Sequence, residues 1–171
     1  MNNSQLNNNL ANLNFGNMNL RSLNASNVNR NETFNKIDLC LAHKPDILFI
    51  TETKLHSKDC KLSIEKYLKF HSNSAYEVHF NSNSKSRGVG IIYKSVLNLK
   101  IISKISPNDE NSLILKCKLN DIDMALAVVY PPSNANLDFF NTLKYNIDST
   151  QCKTKVIGGD FNSLISPLLE H

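Results

Sequence analysis

Residues 45–52 read Pro-Asp-Ile-Leu-Phe-Ile-Thr-Glu, an almost continuous apolar run that follows a proline and ends at an acidic residue. An apolar run of this length without polar alternation is typical of a β-strand that is buried on both faces. Glu52 follows directly on that strand, at a position where loops commonly hold ligands. The stretch therefore predicts a central strand with a candidate functional residue at its carboxyl end.

The segment before this strand predicts a weak strand over residues 15–25 and then a helix. We expect Asn31 to cap the helix, with Glu32 in its first turn, and Lys44-Pro45 to end it. The apolar residues that recur at helical spacing are Phe34, Ile37 and Leu41.

The segment after the central strand predicts a short helix over residues 61–68 and then a β-meander. Its strands are expected over residues 76–80, 88–94, 99–106, 112–119 and 124–130, separated by turns. A last helix should bury a stripe formed by Leu137, Phe140, Leu143 and Ile147, and a final strand should cover residues 155–157. Because helices mix with several antiparallel strands, the pattern predicts an α/β sandwich rather than a purely parallel doubly wound sheet.

Asparagine is unevenly distributed, since 14 of the 26 asparagines lie within the first 35 residues. Residues 1–14 are low in complexity and in charge, so they cannot bury enough apolar surface to offset their chain entropy. We expect a disordered Asn-rich tail over residues 1–14 and one domain over residues 15–171.

Composition narrows the class of protein. The hydrophobic content of 41% suits a globular chain, and no apolar run approaches the ~20 residues that cross a bilayer. The N-terminus does not resemble a secretory signal, and the four cysteines are too widely spaced for zinc ribbons or redox pairs. We therefore expect an intracellular protein, nuclear or cytoplasmic, with no membrane partner. The formal charge of +4 is compatible with a polyanionic substrate but does not identify one.

Unusual polar residues stand at the ends of three predicted strands. They are Glu52, Tyr130, and the pair Asp160 and Asn162, which follows Gly158-Gly159. A hard cation such as Mg²⁺ needs only one or two carboxylates beside water and substrate phosphate, so Glu52 would be a suitable ligand. Asp160 could activate the attacking water, and Asn162 could donate hydrogen bonds to phosphate oxygens. The glycine pair would let the backbone approach closely. Taken singly, each of these residues also fits a solvated loop or a rigid turn.

Five segments, taken in order, resemble the motifs of the endonuclease/exonuclease/phosphatase superfamily. They are residues 19–23, 45–55, 87–93, 128–133 and 158–162, of which residues 45–55 are the most specific match. Within the superfamily, Asn-x-Arg-Ser-Leu, Thr-Glu-Thr-Lys-Leu and Tyr-Pro-Pro-Ser are most similar to the endonuclease domains of LINE-type non-LTR retrotransposons. Those enzymes nick target DNA so that the exposed 3′-hydroxyl group can prime reverse transcription.

The resemblance implies a hydrolase that depends on Mg²⁺ or Mn²⁺ and acts on DNA, with a reverse transcriptase domain as partner if the chain is part of a longer polyprotein. It implies that Asn19 and Glu52 place the metal and the phosphate, that Tyr130 contacts the phosphate, and that Asp160 and Asn162 act on the water and the transition state. The implied fold is the N-terminal part of a two-sheet α/β sandwich, with mixed, mostly antiparallel sheets and flanking helices.

The Ser/Thr-Asp-His motif of the family has no counterpart in this sequence. His171 is the only histidine after Asn162, and no Ser-Asp or Thr-Asp precedes it. The other histidines, His43, His56, His71 and His79, match no family position. We therefore expect a truncated domain with little or no nuclease activity. Its strands over residues 76–130 should show an unpartnered apolar face.

Two other interpretations stay open at this point. The chain could be a related phosphatase or phosphodiesterase of the same superfamily, acting on a small phosphate ester or a lipid. It could also be a non-catalytic remnant or a binding module that keeps part of the fold.

Overall fold

The structure is a computed structural model that describes residues 12–23, 30–71 and 74–161, without the side chains of Arg30 and Asn31. These residues form eight strands and three α-helices, numbered here in chain order, and a short 3-10 helix (Ser95–Leu97). They are β1 (Phe15–Asn19), α1 (Arg30–Leu41), β2 (Ile47–Thr51), α2 (Lys58–Lys69), β3 (Tyr76–Asn81), β4 (Val89–Lys94), β5 (Lys100–Ile105), β6 (Ser112–Leu119), β7 (Ile122–Val129), α3 (Leu137–Asp148) and β8 (Thr154–Gly159). Of the tail expected over residues 1–14, residues 1–11 lie outside the described part of the chain.

The described strands form two four-stranded sheets. The first sheet has the strand order β1-β2-β4-β3, and the second has the order β5-β6-β7-β8. β1 is parallel to β2 and β7 is parallel to β8, whereas the other neighbouring pairs are antiparallel. The predicted α/β sandwich with mixed, mostly antiparallel sheets and flanking helices is therefore confirmed.

The position of β2 explains why residues 45–52 are so apolar. Ile47 and Phe49 point into the core between the sheets, while Leu48 and Ile50 point to the opposite face, where α1 and α2 pack. All five residues of β2 are buried. Burying one aliphatic side chain stabilises a fold by ~1.5–3 kcal/mol. A strand covered on both faces therefore needs apolar residues at consecutive positions.

The expected β-meander is divided between the two sheets. The hairpin of β3 and β4 joins the first sheet, because β4 pairs with β2 from Val89 to Tyr93. Only β5, β6 and β7 form a meander in the second sheet. An alternating apolar pattern indicates which face of a strand is buried but not which sheet the strand joins.

The expectation of an unpartnered apolar face on the strands of residues 76–130 is wrong. Leu113, Leu115 and Val128 of the second sheet pack into the core that this sheet shares with the first. On the other face of the second sheet, Ile114 and Val129 are covered by α3. The chain itself supplies both sheets, and each covers the inner face of the other.

The ends of β1 and α1 differ from the expected positions. β1 ends at Asn19 rather than at residue 25, because Arg21 and Ser22 have φ angles of 48° and 99°, which are incompatible with an extended strand. α1 begins at Arg30, so Asn31 is the second residue of the helix rather than its cap.

The first turn of α3 is more exposed than the sequence predicts. Leu137 and Phe140 of the expected stripe are 73% and 37% exposed, whereas Leu143 and Ile147 are buried. Phe139 is the third residue that packs against the second sheet. The buried stripe therefore runs at a spacing of four residues, which places Phe139 rather than Phe140 on the inner face.

Two further features concern the cysteines and the helices. All four cysteines are free thiols, and burial raises the pKa of the Cys117 thiol to about 12, as befits an unreactive core residue. None of the helices in the described part of the chain is long and apolar enough to cross a membrane.

Candidate active site

Two pairs of parallel strands bring four polar residues to one edge of the sandwich. In the first sheet, β1 and β2 end side by side, with Asn19 as the last residue of β1 and Glu52 directly after β2. In the second sheet, β7 and β8 end side by side and are followed by Tyr130 and Asp160. The carboxyl ends of parallel strands share an edge. Since β1 also packs beside β8, the two edges meet.

Asn19 lies between two carboxylates. Its Nδ2 donates a hydrogen bond of 2.7 Å to Oε1 of Glu52 and another of 3.0 Å to Oδ2 of Asp160. Its Oδ1 accepts a hydrogen bond of 3.0 Å from the backbone N–H of Arg21. The amide oxygen, which is the atom that could bind a metal, is thus turned towards the backbone. In this orientation the amide NH2 group of Asn19 holds the two carboxylates together, and its amide oxygen faces the backbone.

Glu52 also has polar side-chain partners besides Asn19. The hydroxyl group of Tyr130 donates a hydrogen bond of 2.9 Å to Oε1, and Nζ of Lys54 lies 3.3 Å from Oε2. Burial raises the pKa of Glu52, but the hydrogen bonds from Asn19, Tyr130 and Lys54 outweigh burial and lower the pKa below its ordinary value. Glu52 therefore carries a negative charge at neutral pH.

Two loops at this edge have an unusual backbone conformation. Glu52 and Lys54 have φ angles of 53° and 52°, and the facing residues Arg21 and Ser22 also have positive φ angles. The backbone N–H of Ser22 donates a hydrogen bond of 2.8 Å to the carbonyl oxygen of Glu52, which ties the loops together. A non-glycine residue in this region costs about 1–3 kcal/mol, and such residues cluster at functional sites. The hydrogen bonds between the loops thus fix the direction of the Glu52 side chain.

The glycine pair before Asp160 allows close packing between strands. Gly159 has a φ angle of 143°, and a Cβ atom there would lie 1.9 Å from a backbone oxygen of β7. A Cβ atom on Gly158 would lie 2.3 Å from Cδ2 of Phe49. Nδ2 of Asn17 donates a hydrogen bond of 2.6 Å to the backbone oxygen of Gly159, which links β1 to β8. The glycine pair thus packs closely against the neighbouring strands. This packing positions the backbone of Asp160, which follows directly.

The structure brings together four of the five site residues that the sequence predicts. These are Asn19, Glu52, Tyr130 and Asp160. The fifth, Asn162, lies outside the described residues, as does His171. Sequence reasoning missed Lys54 and Asn17. Each had a positional signal, because Lys54 stands two residues after Glu52 and Asn17 shares a strand face with Asn19.

The histidines among the described residues have other surroundings. Nε2 of His71 lies 3.2 Å from Oδ1 of Asp38, and Nε2 of His79 lies 3.3 Å from the hydroxyl group of Tyr93. His43 and His56 are exposed.

The donor set fits a hard divalent cation. Glu52 and Asp160 present carboxylate oxygens that one amide group bridges, and Mg²⁺ prefers ligands of this kind. Within residues 12–23, 30–71 and 74–161, no group of three or more His, Cys, Asp or Glu side chains could hold a metal ion. A Mg²⁺ ion bound by these residues would therefore keep several water molecules, as it commonly does where substrate phosphate completes the coordination.

The fold is similar to that of solved proteins that process DNA or belong to the endonuclease/exonuclease/phosphatase family. TDP2 from D. rerio, in complex with a single-strand DNA product, has a TM-score of 0.57 and 16% identity, and the match covers 88% of this chain and 61% of that one. An endonuclease/exonuclease/phosphatase family protein from Bacteroides thetaiotaomicron has a TM-score of 0.56 and 16% identity, over 88% and 63% of the two chains. An AP endonuclease from Archaeoglobus fulgidus has a TM-score of 0.50 and 19% identity, over 86% and 56%.

Sequence comparison does not extend this relationship. No protein-family model matches the sequence, and no curated protein is significantly similar to it. The chain spans less than two thirds of the length of each of the three solved proteins. The shared property is therefore the fold, which is the two-sheet α/β sandwich of the endonuclease/exonuclease/phosphatase proteins.

Proposed function

We propose that this site binds Mg²⁺ or Mn²⁺ and hydrolyses phosphodiester bonds in DNA. The observation that carries the proposal is the pair of carboxylates, Glu52 and Asp160, which Asn19 bridges where the two sheets meet. The fold neighbours support the same chemistry, because they include an AP endonuclease and a TDP2 structure with a single-strand DNA product.

Each residue of the site has a role in this proposal. Glu52 holds the cation, which when bound supplies charge stabilisation at a phosphate oxygen. Asp160 orients the attacking water and takes up its proton. Asn19 keeps the two carboxylates together, and Tyr130 contacts the substrate phosphate with the hydroxyl group that donates to Glu52 in the free protein. Asn162 donates hydrogen bonds to the phosphate oxygens.

The proposed substrate is the target DNA of a retroelement. A nick in this DNA would expose a 3′-hydroxyl group that primes reverse transcription by a reverse transcriptase domain of the same polyprotein. The support is the resemblance of residues 19–23, 45–55 and 128–133 to LINE-type endonuclease domains. The nucleus or the cytoplasm would be the location of such an enzyme.

Hydrolysis by these 171 residues alone should be slow. In the family that this sequence resembles, a histidine contacts the scissile phosphate. The four described histidines of this chain have other surroundings. The proposal is therefore that the chain binds metal and phosphate but needs a histidine-bearing segment for efficient turnover.

Metal binding tests the proposal directly. Mn²⁺ is titrated into the protein and the free ion is followed by electron paramagnetic resonance. Glu52→Gln removes a charged ligand, and we expect it to weaken Mn²⁺ binding about tenfold or more, since even outer partners of metal ligands contribute this much. The matched control is Glu65→Gln, because Glu65 is an exposed carboxylate on α2. Equal affinities of the two variants would contradict the assignment of Glu52.

A plasmid-nicking assay with Mg²⁺, and with EDTA as control, tests the expected slow turnover. Robust nicking that Asp160→Ala abolishes would support the enzyme and overturn the proposed need for a further histidine. Absence of both Mn²⁺ binding and nicking would overturn the metal-dependent enzyme in favour of a binding module.

A further inference from the structure

A groove of about 570 Å³ lies beside the candidate active site. Three loops form its walls: the turn between β3 and β4, the turn between β5 and β6, and the loop after β7. We call it the Arg87 groove. The residues that line it include Ser86, Arg87, Asn111, Tyr130, Ser133 and Asn134. Most of these side chains are neutral hydrogen-bonding groups, and Arg87 is the cation among them.

Arg87 has no charged partner among the described residues. Its Nη1 donates a hydrogen bond of 3.2 Å to Oδ1 of Asn111, and none of the ion pairs of the described residues includes it. Lys54, another cation near the site, is already paired with Glu52 at 3.3 Å. A guanidinium group has five N–H donors, so Arg87 keeps donors for an anion that enters the groove.

Of the two carboxylates of the neighbouring turn, that of Glu110 is occupied by other donors. Oε2 of Glu110 accepts hydrogen bonds from the backbone N–H groups of Asn83 and Ser84, at 2.8 and 3.0 Å. It also accepts one from the hydroxyl group of Ser84, at 3.0 Å. These bonds fasten the turn that carries Arg87 to the second sheet. They fix the backbone of the turn, and the hydrogen bond to Asn111 orients the guanidinium group before any ligand binds, which reduces the entropic cost of binding.

The Arg87 groove is continuous with the active-site edge. Tyr130 lines the groove, and its hydroxyl group donates to Glu52. The backbone N–H of Lys54 donates a hydrogen bond of 2.9 Å to the carbonyl oxygen of Arg87, so the loop after Glu52 is paired with the segment that carries Arg87. A ligand phosphate held by Arg87 would therefore lie next to a phosphate held at the metal site.

We propose that the Arg87 groove binds a second phosphate of the same nucleic-acid strand, adjacent to the scissile phosphate. Arg87 binds the phosphate oxygens through charge-assisted hydrogen bonds, and Ser133 and Asn134 offer neutral ones. The substrate class that follows is a phosphodiester-linked chain, rather than a phosphate monoester or a small single-phosphate ester. This inference rests on the proposed function of the neighbouring site, and it adds the residue that discriminates between these substrates.

Binding of a fluorescein-labelled 12-nucleotide oligothymidylate, followed by fluorescence anisotropy in EDTA, tests the groove without metal or turnover. We expect Arg87→Ala to weaken binding about tenfold, the usual effect of losing one charge-assisted contact. The slope of log K against log salt should fall by about 0.7, the value for one phosphate contact on a single strand. Lys85→Ala is the matched control, because Lys85 is an exposed cation of the same turn. It should change affinity less than twofold.

A competition experiment addresses the substrate class. With Mn²⁺ in place of EDTA, a thymidine dinucleotide with two phosphates should displace the oligonucleotide from the wild-type protein at least about five times better than thymidine 5′-monophosphate, since its phosphates can occupy the metal site and Arg87 together. Arg87→Gln keeps a donor for Asn111 but loses the charge, and it should abolish this preference. Thermal unfolding of each variant verifies that its fold is intact.

The outcomes separate the two proposals. Equal loss of binding in Arg87→Ala and Lys85→Ala, or an unchanged dinucleotide preference in Arg87→Gln, would overturn the assigned groove and leave the metal site untouched. The opposite outcome is a protein that neither binds Mn²⁺ nor nicks DNA but still binds the oligonucleotide through Arg87. That outcome would contradict the proposed hydrolase and support the groove.

Discussion

The hydroxyl group of Tyr130 donates a hydrogen bond of 2.9 Å to Oε1 of Glu52, a residue 78 positions earlier in the chain. Glu52 follows β2 of the first sheet, and Tyr130 follows β7 of the second. Nδ2 of Asn19 donates to the same carboxylate oxygen at 2.7 Å. One carboxylate thus connects the two sheets, so the geometry of the candidate site depends on how the sheets pack.

Tyr130→Phe should raise the pKa of Glu52. The substitution removes a hydrogen bond to the charged form of Glu52 and leaves the burial of the carboxyl group unchanged. Titration of the Glu52 carboxyl carbon by ¹³C NMR measures the change. Tyr145→Phe is the control, because Tyr145 is 73% exposed. Loss of its hydroxyl group should leave the titration of Glu52 as in the wild type. A Glu52 pKa that Tyr130→Phe fails to move would show that the hydrogen bond does not stabilise the carboxylate.

Much of the fold and of this site could be predicted because both depend on patterns that are local in the sequence. The apolar run of β2 predicted a strand buried on both faces, and the structure confirms it. The sequence pattern placed Glu52, Tyr130 and Asp160 at the ends of apolar strands, and the ends of neighbouring parallel strands share an edge. The parallel pairing of β1 with β2 and of β7 with β8 provides that edge.

What could not be predicted depends on contacts between distant segments. The apolar alternation of β3 and β4 is the same whichever sheet they join, so only their pairing with β2 reveals the first sheet. The role of Asn19 depends on which end of its amide faces Glu52, and residue type does not determine that. Arg87 belongs to a sequence motif, but whether any described residue pairs with its charge is a property of the folded chain.

Lowering the pH should destabilise the protein through at least two carboxylates. The pKa of Glu52 is lowered from an ordinary value of 4.5. The pKa of Asp46 is lowered from 3.8, because hydrogen bonds from the Asn14 backbone and from Lys94, with the charge of Lys94, outweigh burial. The unfolded chain therefore binds protons more tightly than the folded chain. The stabilisation is complete above these ordinary values and is lost as the pH falls through the lowered ones.

Thermal unfolding between pH 7 and pH 3 measures this dependence. We expect a nearly constant Tm down to about pH 5, which lies above the ordinary carboxyl pKa values, and a steep decrease below it. Asp46→Asn should make the decrease shallower, because one of the carboxylates with a lowered pKa is gone. A Tm that rises on acidification to pH 4 would contradict the lowered pKa values.

Asn19→Asp should convert the bridging amide into a third carboxylate and make stability depend on divalent cations. The new carboxylate would face Glu52 and Asp160 at distances now held by hydrogen bonds of 2.7 and 3.0 Å. Like charges this close repel one another, so Tm should fall at pH 7 in EDTA. Mg²⁺ should then raise Tm more than in the wild type, because it binds the folded state and neutralises the repulsion.

Asn141→Asp is the control for this change, since Asn141 is an exposed residue of α3. It introduces the same charge away from the site and should leave the effect of Mg²⁺ on Tm as in the wild type. The same Mg²⁺ effect in both aspartate variants would show that the cation acts on the overall charge and not at Asn19.

Gly159→Ala should unfold the edge that carries Asp160. A Cβ atom at this position would lie 1.9 Å from a backbone oxygen of β7, and the φ angle of 143° is one that L-residues rarely adopt. A backbone atom in a parallel strand pair cannot move aside without breaking the pairing. We therefore expect a loss of about 3 kcal/mol or more in the free energy of unfolding, which urea denaturation followed by circular dichroism measures.

Gly16→Ala is the matched control on β1. Its Cβ atom would meet Cδ1 of Leu48 at 2.9 Å, and this flexible side-chain end can move. The free energy of unfolding of Gly16→Ala should fall by no more than about 1 kcal/mol. If the two alanine variants unfolded at the same urea concentration, the close contact between β7 and β8 could not be what positions Asp160.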